Sequence, residues 1–225
     1  MTAIDVSAPL TPSEVVLLHG DEFAAKAGLF NRVKLLHRDE EVSAPQLAQA
    51  MLAAALLANE GLGALRLEVR SKKNFLGLGH TTNVYVEPFG PAPAWPQPSL
   101  EAELRALAET LRAGERNDVD TLLYTWLAED DATPWVKVVE QVKAKLAARG
   151  LLEVAEKRQL KIFVSRKYAL PESTASLAAR QPWQPLHQML NEEARRRPEL
   201  WKLLEKQIKR AIQQRTEKSE NDFDD

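Results

Sequence analysis

The chain of 225 residues contains no cysteine. That excludes disulfides, thiolate-bound zinc, iron-sulfur clusters and a cysteine nucleophile, and it suits a reducing compartment. Long hydrophobic runs are missing too: the longest, Ala50 to Ala58, falls well short of the roughly 20 residues that cross a bilayer. Met1 to Pro9 shows no basic stretch followed by an apolar one, so no secretory signal is predicted. A cytoplasmic chain, at most peripheral to a membrane, is expected. Four histidines, His19, His37, His80 and His187, are scattered without H-E-x-x-H spacing, and neither a metal nor another cofactor is expected. Gly61-Leu62-Gly63 and Gly77-Leu78-Gly79 look like pieces of a phosphate loop. The third-glycine positions hold Arg66 and Thr82, however, and strand-like sequence comes next where a phosphate loop needs a helix start. Neither G-x-x-x-x-G-K-[ST] nor G-x-S-x-G occurs. Glu129, Asp130 and Asp131 suit a solvated loop better than a metal site. With no catalytic constellation legible, the chain is expected not to be an enzyme.

What is present is folding material. Hydrophobic residues make up 44% and charged residues 28%, enough for one substantial core or two small ones and unlike a wholly disordered chain. Thr11-Pro12-Ser13-Glu14 has the pattern of a capping box opening a short helix that Gly20 can end, and Ser43-Ala44-Pro45-Gln46 has the same pattern. Between them, Leu29, Val33 and Leu36 allow another helical turn or two. Behind the second box, Leu47 to Ala58 is apolar on nearly every side, which predicts a buried helix.

After Gly61 and Gly63 the period becomes two: Leu65, Leu67 and Val69 alternate with Arg66, Glu68 and Arg70, and Thr81 to Glu87 suits a return strand. Pro88 to Pro98 carries five prolines and is predicted to be a linker or a loop packed across the surface. Leu100, Leu104, Leu107 and Leu111 then mark a helix; Asn117-Asp118 caps a second and Thr133-Pro134 a third, which Gly150 ends. A charged turn near Glu156 to Arg158 and alternating Leu160, Ile162 and Val164 repeat the order helix, strand, turn, strand. Ser43 to Glu87 and Thr133 to Tyr168 are thus two copies of one architectural pattern. The predicted fold is mainly α with short β-hairpins, a helical core carrying two winged-helix-like helix-hairpin units. Beyond Pro171, Glu192 to Arg215 is a basic helix candidate interrupted at Pro198, with Leu200, Leu204, Ile208, Ala211 and Ile212 on one side.

Overall charge is nearly balanced, with 30 basic and 32 acidic residues. The balance is a cancellation: 11 basic and 19 acidic residues lie up to Asp131, 18 and 8 from Ala132 to Thr216, and 1 and 5 from Glu217 to Asp225. The basic part offers Lys137, Lys143, Lys145, Arg158, Lys161, Arg166 and Lys167 as candidates for binding an anionic ligand or partner, on a helix and the hairpin behind it.

Several segments together resemble the Golgi phosphoprotein family of phosphoinositide-binding adaptors, which has bacterial relatives. They are Leu10-Thr11 with Glu14 to Leu18, Met51-Leu52 to Gly61, Leu65-Arg66-Leu67-Glu68, the basic loop Arg70 to Lys73, and Leu146-Ala147-Ala148-Arg149-Gly150-Leu151-Leu152 with Glu156-Lys157 and the hairpin Leu160 to Pro171 behind it. The resemblance implies a mostly helical fold with a protruding β-hairpin, no enzymatic activity, and binding of phosphatidylinositol 4-phosphate through a Trp and basic residues, with the hairpin contacting membrane and other subunits. Phe23 to Pro45 contains no Trp, the residues before the buried helix are Leu47-Ala48-Gln49, and the expected basic pair falls near Val136 and Val139. The head-group ligands are therefore not preserved in recognisable form. The expected organisation is a helical domain over residues 10–175 with the Pro-rich loop 88–98 inside it, a basic helical segment 176–216, and an acidic disordered tail 217–225.

The leading expectation is a non-enzymatic adaptor, with the hairpin Glu156 to Tyr168 meeting an anionic membrane surface, a protein partner or a second copy of the chain. The alternative is a tandem winged-helix nucleic-acid binder with the Trp135 to Leu146 helix in the major groove. A third possibility is that the Leu200 to Ile212 stripe binds a partner helix.

Overall fold

A helix that is apolar all round has to be covered all round, and α3 (Ala44–Gly61) is that helix. Every residue from Met51 to Asn59 is buried, with alanine and leucine allowing close approach by its neighbours. The computed structural model of the chain describes residues 9–73, 80–159 and 163–221, with side chains described for 9–72, 80–155 and 166–216. Around α3 lie α1 (Pro12–Leu18), α2 (Gly20–Phe23), β1 (Arg32–Lys34), β2 (Glu41–Ser43), β3 (Leu65–Lys73), β4 (His80–Pro88), α4 (Leu100–Arg112), α5 (Val119–Leu127), α6 (Pro134–Ala148), β5 (Glu153–Gln159), β6 (Phe163–Ala169), α7 (Glu172–Arg180), α8 (Gln184–Arg196) and α9 (Pro198–Asn221). The fold is mainly helical, and its strands form antiparallel pairs β1–β2, β3–β4 and β5–β6. Helices α1, α4, α6, α8 and α9 all pack on α3. Among the described residues, no helix is long and apolar enough to cross a membrane.

Both helix-hairpin units are present, and they begin in the same way. At the end of α3, Gly63 N–H donates to Glu60 O and Ala64 N–H to Asn59 O; at the end of α6, Gly150 N–H donates to Ala147 O and Leu151 N–H to Leu146 O, all four bonds at 2.9 Å. This pairing satisfies the last helical carbonyls only if the glycine takes a left-handed conformation, and Gly63 and Gly150 have φ of 70° and 73°. The two hairpins, however, are packed differently. β3–β4 lies on α4, α5 and α9, burying Leu67, Val84 and Val86. In β5–β6, no described side chain of Glu153–Ala155 or Arg166–Ala169 is buried, and among the described residues the hairpin packs substantially on no other element.

Several local expectations need correction. The helical turn or two allowed by Leu29, Val33 and Leu36 does not form: α2 ends at Phe23, and the β1–β2 pair follows with Val33 and Val42 inward. Gln46 does not complete a capping box: its Oε1 accepts from Ala25 N–H at 2.7 Å, while Ser43 N–H donates to Ala25 O. The box at Thr11 does use its carboxylate, Glu14 accepting from Thr11 N–H at 2.8 Å. Residues 88–98 pack across the surface as a loop. They are held by Trp95, whose indole N–H donates to Asn59 Oδ1 at 2.9 Å. Asn59 in turn donates to Ala55 O and Glu101 O, so a polar residue on the buried helix is satisfied on both sides.

The C-terminal segment belongs to the same core. Leu204, Ile208, Ala211 and Ile212 are fully buried in it, and α9 lies against α3, α5, α6 and β4. The boundary expected at residue 175 is thus not a break in packing. Because the Leu200 to Ile212 stripe faces the chain's own core, it is not a free surface for a partner helix. α9 continues to Asn221, into the tail expected to be disordered; residues 222–225 lie outside the described residues.

Two carboxyl groups sit deep between α1, α4 and α6. Glu14 is held by Arg149, at 2.8 and 3.0 Å, yet burial is the stronger influence and pushes its pKa up to about 7 from the usual 4.5. Glu101 is fully buried and also raised by burial; Ser13 N–H donates to its Oε1 at 2.7 Å, and its Oε2 has no partner among the described residues. A carboxyl whose folded pKa exceeds its unfolded value binds its proton more tightly when folded. The resulting stability is complete below about pH 4.5 and is lost as pH rises through about 7. For Glu14 alone this is about 3 kcal/mol. Urea midpoints tracked across this window are expected to fall less steeply in Glu14→Gln than in the parent. Equal losses of about 1 kcal/mol are expected for Gly63→Ala and Gly150→Ala, measured by the same denaturation.

Candidate anionic-partner site

Helix α6 begins at Thr133-Pro134, where Asp131 Oδ1 accepts from Thr133 N–H at 2.8 Å, and it buries Trp135, Val138, Val139, Val142 and Leu146. From Pro134 to Ala147 none of its residues is exposed. Its cations are therefore drawn into the body. Lys137 Nζ lies 3.6 Å from Glu129 and 3.9 Å from Asp131. Lys143 is buried and donates to Glu140 at 2.9 Å. Lys145 meets Glu103 of α4 at 2.8 Å and stands 5.7 Å from the Trp126 ring, whose indole N–H donates to the same carboxylate.

The remaining candidates are on the hairpin. Arg158 places its backbone on β5 opposite Val164; its side chain and all of Lys161 lie outside the described residues. Arg166 and Lys167 are exposed on β6, opposite Glu156 and Ala155. The seven cations thus divide into three held by carboxylates of the body and a group on the projecting hairpin.

Three arginines of the basic C-terminal segment are engaged in the same manner, while Lys202, Lys206 and Lys209 are exposed on α9. Arg197 pairs with Glu60 and Glu193, Arg210 donates to Asp120 at 2.8 Å, and Arg215 meets Asp130 at 2.9 Å and the Tyr124 carbonyl at 2.6 Å. Glu60, with Glu193 beside it, raises the Arg197 pKa, and Asp120 raises that of Arg210, so both guanidiniums stay charged. Glu129, Asp130 and Asp131 are the partners of Lys137 and Arg215. Among the described residues no group of His, Asp and Glu could hold a metal ion.

A cleft of about 240 Å³ opens where α2, α3, α8 and α9 meet, floored by Ala53, Leu190, Leu204 and Ile208. Its lining includes the carboxylates Glu22 and Glu205 but no lysine or arginine, which makes it a poor host for phosphate.

No family model, curated protein or solved structure matches the chain.

Sequence reasoning misses one exposed feature, the Leu29-Phe30 pair before β1. Spacing groups Leu29 with Val33 and Leu36 as one helical face, whereas the structure puts Leu29 in water. The flanking Gly28 and Asn31, turn-forming residues in a stretch without a clean period, are the signal that could have found it.

If Lys145 serves the body and not a partner, Lys145→Met costs about 1 kcal/mol of stability and leaves vesicle or nucleic-acid affinity unchanged. Thermal melts and binding assays on the same protein check both halves.

Proposed function

We propose that the chain is a non-enzymatic adaptor of the kind the Golgi phosphoprotein resemblance implies, meeting an anionic membrane surface through the β5–β6 hairpin. One observation carries this reading: the described part of the hairpin packs substantially on no other element and exposes Lys167, whereas the cations of α6 are tied to the chain's own carboxylates. Among the described residues only Tyr168 of the hairpin is half-buried against the core, so the hairpin gains little stability from its position. Its exposed strand edges and basic residues suit it to contact with another surface or another chain. General anionic attraction fits better than a dedicated phosphoinositide pocket, because the residues expected to grip the head group are replaced by Val136, Val139 and Leu47, all buried or half-buried.

The nucleic-acid reading has less support. A recognition helix needs several side chains reaching base edges, and α6 offers no exposed residue over almost its whole length.

Vesicle flotation tests the proposal. The chain is expected to float with vesicles containing phosphatidylserine or a phosphatidylinositol phosphate, not with phosphatidylcholine alone, and to dissociate as salt is raised. Replacing Arg166 and Lys167 together by Gln should weaken binding roughly thirtyfold, at about 1 kcal/mol per cation near an anionic surface. Flotation that is absent, or indifferent to these two residues, would overturn the hairpin reading.

A further inference from the structure

The loop between α2 and β1 displays two adjacent apolar side chains in water. Leu29 is 85% exposed and Phe30 83%. Other large exposed hydrophobics among the described residues are better covered: Phe89 lies under the Arg66 guanidinium at 3.9 Å, and Val69 and Val154 are 39% and 43% exposed. Isolated surface hydrophobics are ordinary, but a contiguous pair at a loop tip suggests a contact.

The tip is held in place by its base. Ala27 N–H donates to Glu41 O, Ser43 N–H to Ala25 O and Ala44 N–H to Asn31 O, at 2.8 to 3.0 Å, and Gln46 accepts from Ala25 N–H. Asn31 turns the chain with φ of 51°. Exposure of Leu29 and Phe30 is therefore built into a bonded loop on both sides of β2.

Charge around the tip favours one occupant. From Ala24 to Arg38 the sequence has Lys26, Arg32, Lys34 and Arg38 and no acidic residue. Glu41 lies at the base of the loop, its backbone carbonyl accepting from Ala27 N–H, and its carboxylate meets Arg32 at 3.1 Å, while Asp39 meets Lys34 at 2.6 Å. Lys26, at the same base, is exposed and in no ion pair among the described residues. Two apolar groups at an exposed turn, with Lys26 exposed at its base, match the interface of an anionic bilayer: acyl chains take the apolar pair and a head-group phosphate takes Lys26, while Arg32 stays with Glu41. A protein partner would call for a broader complementary patch.

We infer that the Leu29-Phe30 tip is a membrane-insertion wedge that docks the chain on anionic bilayers. This deepens the adaptor reading, sharing its anionic surface but resting on a different element from the β5–β6 hairpin.

The absence of cysteine makes the test direct, because any introduced thiol is unique. Gly28→Cys places a polarity-sensitive dye beside the pair without removing it, and an added Cβ there meets nothing within 4 Å. Lys167→Cys reports on the hairpin, and Ala106→Cys, on the exposed face of α4, serves as the control. On adding phosphatidylserine vesicles, the dye at 28 should shift to the blue and be quenched by spin-labelled lipid, while the dye at 106 does not respond. Leu29→Ser with Phe30→Ser should abolish that response and weaken flotation roughly tenfold to a hundredfold, with an unchanged thermal midpoint showing that the chain remains folded.

A response at 28 without one at 167 upholds the wedge and removes the hairpin reading. A response at 167 alone overturns the wedge and leaves the hairpin reading standing. Silence at both positions overturns both. Vesicle-independent self-association that the double serine variant abolishes would make the tip a contact between copies, which also overturns the wedge.

Discussion

Everything in this fold answers to α3. An eighteen-residue helix with hardly a polar face has to be enclosed, and α1, α4, α6 and α9 enclose it from both ends of the sequence. Burial of so many alanines and leucines is the dominant favourable contribution. Its geometric consequence matters as much, since segments more than a hundred residues apart in sequence are brought side by side.

Once those segments meet, their charges meet too. The acidic first part of the chain and the basic second part provide each other's counter-ions: Glu14 with Arg149, Glu103 with Lys145, Glu60 with Arg197, Asp120 with Arg210, Asp130 with Arg215. Segregation of charge along the sequence suggests a polyanionic partner, but in space much of it is neutralised within the molecule. Exposed cations in no ion pair among the described residues include Lys26 at the base of the Leu29-Phe30 loop, Lys167 on β6, and Lys202, Lys206 and Lys209 on α9.

Much of the architecture can be read from the sequence because it depends on neighbours in sequence. Helix starts at Ser99 and Asp118 come from side chains accepting the N–H of Ala102 and Thr121, stops come from Gly63 and Gly150, and the β3–β4 pairing comes from strict alternation. Features that depend on distant partners are not legible. The β1 and β2 strands are three residues long with one buried residue each, too short for a period to emerge. Gln46 looks like a cap because its actual partner, Ala25 N–H, belongs to another element. The stripe on α9 shows that one face must be buried without showing that α3, α5, α6 and β4 bury it. Lysine spacing on α6 likewise identifies cations but not the carboxylates waiting for them.

The position of α9 also determines how the molecule is made. Ribosomes deliver the N-terminal part first, and the faces of β4 and α5 that α9 covers are complete long before Ile212 is synthesised. Val84 N–H, which donates to Gln207 Oε1 at 2.6 Å, waits for its acceptor through more than half the chain. The nascent chain consequently carries an open apolar face until α9 clears the exit tunnel. The interval before α9 closes the core is when the protein is most exposed to chaperones and to aggregation.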